Sequence, residues 1–154
     1  MADIVSPAKR SRMMSGIKGK NTKPEILIRR MLHKRGFRFR LHRKDLPGRP
    51  DIVLPKFNAV IFVNGCFWHG HENCKLFRYP KSRTEFWDNK IGGNKQRDLE
   101  KIEKLRSDWR VLIIWECAIK GTQKLVPDNL IELLEGFLLG EGQYSEIRGA
   151  LPDR

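Results

Sequence analysis

Between Val60 and Cys74 (VIFVNGCFWHGHENC) a short apolar run breaks at Gly65 and is followed by two cysteines, two histidines and two adjacent aromatics. The third cysteine, Cys117, ends a second apolar run, WRVLIIWEC. Cys66, His71, Cys74 and Cys117 make a soft ligand set without a carboxylate, which suits tetrahedral zinc. Four protein ligands close the coordination sphere, so such a zinc would be structural and would leave His69 free for chemistry. An odd cysteine count in a chain of this size argues against a disulfide framework. Phe67 and Trp68 both favour burial, so a loop that carries them side by side is expected to hold them toward a partner.

The surrounding elements are readable from punctuation and period. Ser6-Pro7 opens a short basic helix carrying Met13, Met14 and Ile17, broken between Gly16 and Asn21. Thr22 and Glu25 have capping-box spacing ahead of the stripe Leu27, Ile28, Met31 and Leu32, and Gly36 stops that helix. Phe37 to Leu41 alternates as a half-buried strand, and Asp51 to Leu54 and Ala59 to Val63 read as a hairpin through Pro55 to Asn58. Thr84 to Lys90 reads as one helical segment, interrupted by Gly92-Gly93, with Asn94 capping a second one to Ser107 whose apolar face is Leu99, Ile102 and Leu105. Trp109 to Cys117 is the most strand-like run, with Trp109 and Trp115 assigned to the core, and Asp128 to Leu139 is a final amphipathic helix. Residues 1–140 are expected to form a single domain, a mixed sheet covered by helices, with 141–154 as a loose polar tail.

At 154 residues the chain suits one domain with a real core. No apolar run reaches membrane-spanning length and no secretory leader opens the sequence, so a cytoplasmic location away from membranes is expected. The net charge is +13, and residues 1–44 hold 14 lysines and arginines against two acids, Asp3 and Glu25. A basic excess concentrated in this way attracts polyanions and makes nucleic acid the leading partner.

Pro50-Asp51 stands where nucleases of the PD-(D/E)xK type hold their first metal-binding carboxylate, although the next strand reads Phe62-Val63-Asn64, without their acid and lysine. The ordered set LPGRPD (Leu46 to Asp51), GCFWH (Gly65 to His69), RTEFW (Arg83 to Trp87) and RVLIIWEC (Arg110 to Cys117) resembles the very short patch repair endonucleases. The similarity runs from about Arg10 to Gly140. It implies a restriction-endonuclease-like fold with a structural zinc, and an enzyme that nicks one strand 5′ to the T of a T:G mismatch left by deamination of 5-methylcytosine. It further implies that Asp51 and the main-chain carbonyl of Val63 hold magnesium, and that His69 is the general base. Glu25 and Asp98 match acids near the site. Cys66, His71, Cys74 and Cys117 match zinc ligands. Phe67, Trp68 and Trp87 match an aromatic wedge, and Met14 with Ile17 match a minor-groove contact made by a DNA-clasping segment, residues 1–20. Asn64 departs, standing where the best-known members have a second active-site histidine; an amide carries no proton at neutral pH.

Histidine side chains titrate at about 6.5 in solution, which suits taking a proton from water near neutrality. Wedging aromatics between base pairs costs a few kcal/mol of unstacking, less at a mismatch. For Glu25 and Asp98 the plainer readings are a helix-capping residue and a surface charge. The rival functions are a nuclease that cuts both strands of a specific site, a zinc-stabilised DNA-binding protein without catalysis and, more weakly, an RNA binder. Monomeric action and contacts with mismatch-repair proteins are further expectations.

Overall fold

The two strongest apolar runs become the middle of one sheet, and their side chains divide between its faces. The computed structural model describes residues 21–151. The helix expected over Ser6 to Ile17, with Met14 and Ile17, lies outside them. In chain order the elements are α1 (Lys23–Lys34), β1 (Arg40–Leu41), β2 (Ile52–Leu54), β3 (Ala59–Asn64), α2 (Thr84–Leu105), β4 (Arg110–Trp115), α3 (Pro127–Leu139) and β5 (Tyr144–Ile147). They form a mixed α/β fold around a five-stranded sheet in the order β1-β2-β3-β4-β5.

The β2–β3 hairpin is antiparallel, with Ile52 opposite Ile61 and Leu54 opposite Ala59, and turns through a 3-10 segment, Pro55–Phe57. From Asn64 the chain crosses over through α2 and returns as β4, parallel to β3, with Ala59 opposite Arg110 and Asn64 opposite Trp115. The strand period of two then sorts the core. Ile52, Leu54, Ile61, Leu112 and Ile114 pack against Ile28 and Leu32 of α1 and Leu134 and Leu138 of α3. Val53, Val60, Phe62, Val111 and Ile113 point the other way, against Leu105 of α2. Burying both faces of β3 and β4 explains why those strands are continuously apolar in sequence.

Four expectations need correction. The glycine pair does not split the second helix: α2 is continuous from Thr84 to Leu105. An added Cβ at Gly92 would meet nothing within 4 Å, and Ile91 and Leu105 are buried along the same helix, so packing outweighs the cost of about 1 kcal/mol per glycine. Leu99 is not on the apolar face of that helix; it is 64% exposed. Regular pairing in the Phe37 to Leu41 run is confined to Arg40–Leu41, although Phe37 and Phe39 still pack on the core. The tail is not loose: Tyr144–Ile147 is the edge strand β5, parallel to β4, with Ile114 opposite Ile147. The hairpin, the β4 strand and the terminal helix form as expected. No helix among the described residues is long and apolar enough to cross a membrane.

Candidate active site and metal centre

Asp51 precedes β2 at the end of the sheet where β3 finishes. The LPGRP turn delivers it, and Gly48 there has φ +72°, with Lys101 so close that an added Cβ would lie 2.4 Å from its Cδ. A side chain at that glycine would strain the backbone and collide with α2. The Asp51 carboxylate accepts the Val63 N–H at 2.7 Å, which ties it to the end of β3. Burial pushes the Asp51 carboxyl above its usual range, against the Val63 N–H and the neighbouring His42, Lys101 and His69 side chains.

On one side of Asp51 stands the start of α1. Thr22 caps this helix, accepting the Glu25 N–H at 3.3 Å, while the Glu25 carboxylate reaches back to the Asn21 N–H at 3.2 Å. Capping leaves Glu25 only 2% exposed. Its other oxygen faces His42 Nε2 at 2.7 Å and is also in contact with the Arg29 guanidinium. Glu25, His42 and Asp51 offer ligand atoms that all lie within 4.8 Å of one another. Sequence reading missed His42, since a lone histidine between Leu41 and Arg43 carries no motif.

On the other side His69 Nδ1 meets Asp98 Oδ2 at 2.5 Å. Asp98 lies on α2, where Lys101 Nζ reaches its second oxygen at 3.0 Å. Burial pushes the Asp98 carboxyl up, but His69 and Lys101 outweigh it, and the net shift is downward. Asn64, 6% exposed, lines one cleft with Val63, Phe67, Trp68 and His69. Lys101 is a second residue that sequence reading missed; its place one helical turn after Asp98 was the available signal.

Cys66, His71, Cys74 and Cys117 come together as expected, with all four ligand atoms within 4.8 Å of one another. Cys66 Sγ and Cys117 Sγ each stand 3.5 Å from His71 Nδ1. Backbone N–H groups already point at sulfur: Cys117 N–H at Cys66 and Gly149 N–H at Cys117, both at 3.3 Å. Cys66 and His71 gain a fixed orientation because the His71 N–H donates to the Cys66 carbonyl at 2.9 Å. Sharing a proton with Cys66 pulls the Cys117 thiol down and pushes Cys66 up. Three sulfurs and an imidazole in tetrahedral reach, with N–H donors stabilising thiolate, fit a soft or borderline cation. Trp115 packs against the core as expected, though only half-buried, and it also stacks on His71 with ring centroids 3.9 Å apart and planes 6° apart.

Beyond that cluster Phe67, Trp68 and Trp87 form one aromatic group, with centroids 5.2 to 6.0 Å apart. Asn94 of α2 donates to the Trp68 carbonyl at 2.8 Å, and the buried Trp87 indole N–H has no hydrogen-bond partner among the described residues.

Residues 2–76 match the family model described as DNA mismatch endonuclease Vsr. The chain is 45% identical over 148 residues to the DNA mismatch endonuclease Vsr of Escherichia coli K12, covering 96% of this chain and 94% of that one. It is also 49% identical over 120 residues to a type II nicking enzyme of Xanthomonas oryzae, covering 77% and 88% of the two chains. A type II nicking enzyme of Neisseria meningitidis serogroup A is 45% identical over 122 residues, 79% of this chain and 86% of its own. Near full-length identity at this level, over a sheet end that gathers Asp51, Glu25, His69 and Asp98, places the chain in the Vsr family of DNA mismatch endonucleases.

Proposed function

We propose that the chain nicks one strand of duplex DNA 5′ to the T of a T:G mismatch arising from deamination of 5-methylcytosine, starting very short patch repair. The observation that carries this reading is the meeting of Asp51 with the Glu25–His42 pair on one side and the His69–Asp98 pair on the other, beside an aromatic group. In an extended strand a residue's carbonyl and N–H point to the same side. The Val63 N–H donates to Asp51, so its carbonyl is turned the same way and joins the oxygen donors that suit magnesium. A divalent cation held there supplies positive charge to the scissile phosphate and leaving oxygen.

The chain's own residues do the rest. Asp98 accepts a hydrogen bond from the His69 Nδ1–H, so Nε2 is left as the base that takes a proton from the attacking water. Asn64 orients phosphate or water by hydrogen bonding and takes no proton. Phe67, Trp68 and Trp87 serve as the wedge, entering most easily at a step that a mismatch has weakened. The basic segment 1–20, with Met14 and Ile17, clasps the opposite groove, and zinc on Cys66, His71, Cys74 and Cys117 holds the wedge loop in shape. The chain acts as a single endonuclease domain of restriction-endonuclease-like type, as a monomer in the cytoplasm, where it meets the nucleoid and mismatch-repair proteins.

End-labelled T:G and C:G duplexes, with and without magnesium, test this alongside Asp51→Ala. The expected result is one nick beside the mismatched T, lost in Asp51→Ala. Cutting of both strands would make the chain a restriction-type nuclease, and mismatch binding without cleavage would make it a binding protein.

A further inference from the structure

The trio Glu25, His42 and Asp51 places an imidazole among carboxylates, a donor set unlike an all-oxygen magnesium site. We propose that His42 is a direct ligand of the catalytic cation in this chain, and that the mixed nitrogen–oxygen set binds Mn2+ in preference to Mg2+. This rests on the reading of Asp51 as the cation-binding carboxylate.

Three separate elements converge to build the trio. Glu25 comes from the first turn of α1, its carboxylate buried and turned inward by the capping contacts to Asn21. His42 follows β1, and its N–H donates to the Asp51 main-chain carbonyl at 3.2 Å. That bond fixes the backbone of His42 against the residue whose side chain it faces. His42 also has φ 48°, a left-handed conformation that costs free energy in a non-glycine residue and that clusters at functional sites. The strained turn directs the imidazole to Glu25, with Nε2 2.7 Å from Oε2.

Donor chemistry then sets the preference. Mg2+ demands oxygen and near-ideal octahedral geometry, whereas later divalent ions gain from imidazole in the order of increasing affinity along the first row. Mn2+ shares the carboxylate preference of Mg2+ but is the first member of that series, so an imidazole donor added to carboxylates favours it over Mg2+. Arg29 is the competing cation, with its guanidinium in contact with Glu25 and 3.3 Å from His42 Nε2. Arg29 Nη2 also donates to Asn21 Oδ1 at 2.5 Å, so Arg29 has another anchor when a metal takes the carboxylate.

The test uses the full chain with one equivalent of zinc added first, so that the cysteine cluster does not take the added ions. Mn2+ is titrated by loss of the free-ion electron paramagnetic resonance signal, and Mg2+ by competition against it. His42→Gln is expected to weaken Mn2+ by about tenfold or more, while Mg2+ changes by less than about threefold. Electron spin-echo modulation from a directly bound imidazole nitrogen is expected in the parent and absent in His42→Gln, and the parent spectrum needs no variant to fold. An equal loss for both cations would overturn the assignment and make His42 a brace for Glu25. No loss for either would reduce the trio to an ion-pair network with Arg29. Binding that survives Asp51→Ala would overturn the underlying reading of Asp51 itself, an outcome distinct from failure of His42 alone.

Discussion

Asp98 decides which nitrogen of His69 faces the cleft. Its oxygen 2.5 Å from Nδ1 selects one tautomer and, in the proposed reaction, would stabilise the imidazolium formed when Nε2 takes a proton. Asp98→Asn keeps the size and one acceptor but loses the charge. Nicking of the T:G duplex is expected to fall roughly 10²-fold or more, with mismatch binding retained in a gel-shift assay. The same substitution has a pH signature. The folded-state pKa of Asp98 is lowered, so its ionisation adds stability that is present above about pH 4, the ordinary aspartate value, and is lost as pH falls through the folded value. Urea denaturation from pH 2 to 7 is expected to show a shallower rise in stability for Asp98→Asn than for the parent. At this scale the cysteine–histidine cluster was legible because it takes in all three cysteines of the chain and a histidine spaced between two of them, His71 between Cys66 and Cys74. His42 was not legible, because it reaches the site only through tertiary placement from a turn; Lys101 and Arg29 stand one helical turn from Asp98 and Glu25, a spacing common on any charged helix face and so uninformative until the fold places the acids.

The C-terminal strand shows how an element can be hidden by its composition. Tyr144 to Ile147 is partly exposed and short, so alternation alone does not distinguish it from a tail; pairing with β4 makes it a strand. The segment just after β5 braces the cysteine–histidine cluster. Arg148 donates to the Glu72 and Asn73 carbonyls at 2.9 and 2.6 Å, and Gln123 bridges the Lys75 N–H and the Ala150 carbonyl at 2.8 and 2.6 Å. Gly149 has no room for a side chain, since a Cβ would lie 2.3 Å from the Cys117 carbonyl oxygen and 2.5 Å from that of Gln123. Both obstacles are backbone, so Gly149→Ala must displace the N–H that points at Cys117. It is expected to destabilise the fold by about 1–3 kcal/mol and to speed zinc transfer to a chromophoric chelator. Arg110 plays the corresponding part at the opposite end of β4. Buried and without a carboxylate partner among the described residues, its guanidinium donates to the Phe57, Phe137, Leu138 and Gly142 carbonyls at 2.8 to 3.2 Å. Arg110→Met would leave those carbonyls without their donor, and a loss of about 3 kcal/mol is expected in urea denaturation. The sequence pattern placed Arg110 at the head of a strand, but nothing in the chain order showed that it also closes the C-terminus of α3.

For the molecule as a whole, the order of strands and helices followed from apolar period, whereas the joining of distant segments did not. The cysteine–histidine cluster is the main join: it ties the loop after β3 to the turn after β4, and through the Gly149 N–H to the chain beyond β5. The aromatic group grows from the same loop, with Phe67 next to Cys66 and Trp68 bonded through its carbonyl to Asn94 of α2. With zinc bound there as proposed, removing it acts on two properties at once. Without it, buried thiols and an imidazole 3.5 Å apart must be held by weak hydrogen bonds alone. A thiolate-selective chelator is expected to lower the melting temperature and abolish nicking together, because structural zinc contributes directly to folding free energy. Magnesium in excess should restore neither property, since hard cations do not replace soft ones on sulfur. One equivalent of zinc should restore both. Loss of nicking with an unchanged melting temperature would instead move zinc from the scaffold into the reaction. The geometry opposes that outcome, because Trp115 stacks on His71, Cys66 and Cys117 are fully buried, and the cluster offers four donor atoms, enough to fill a tetrahedral sphere without water.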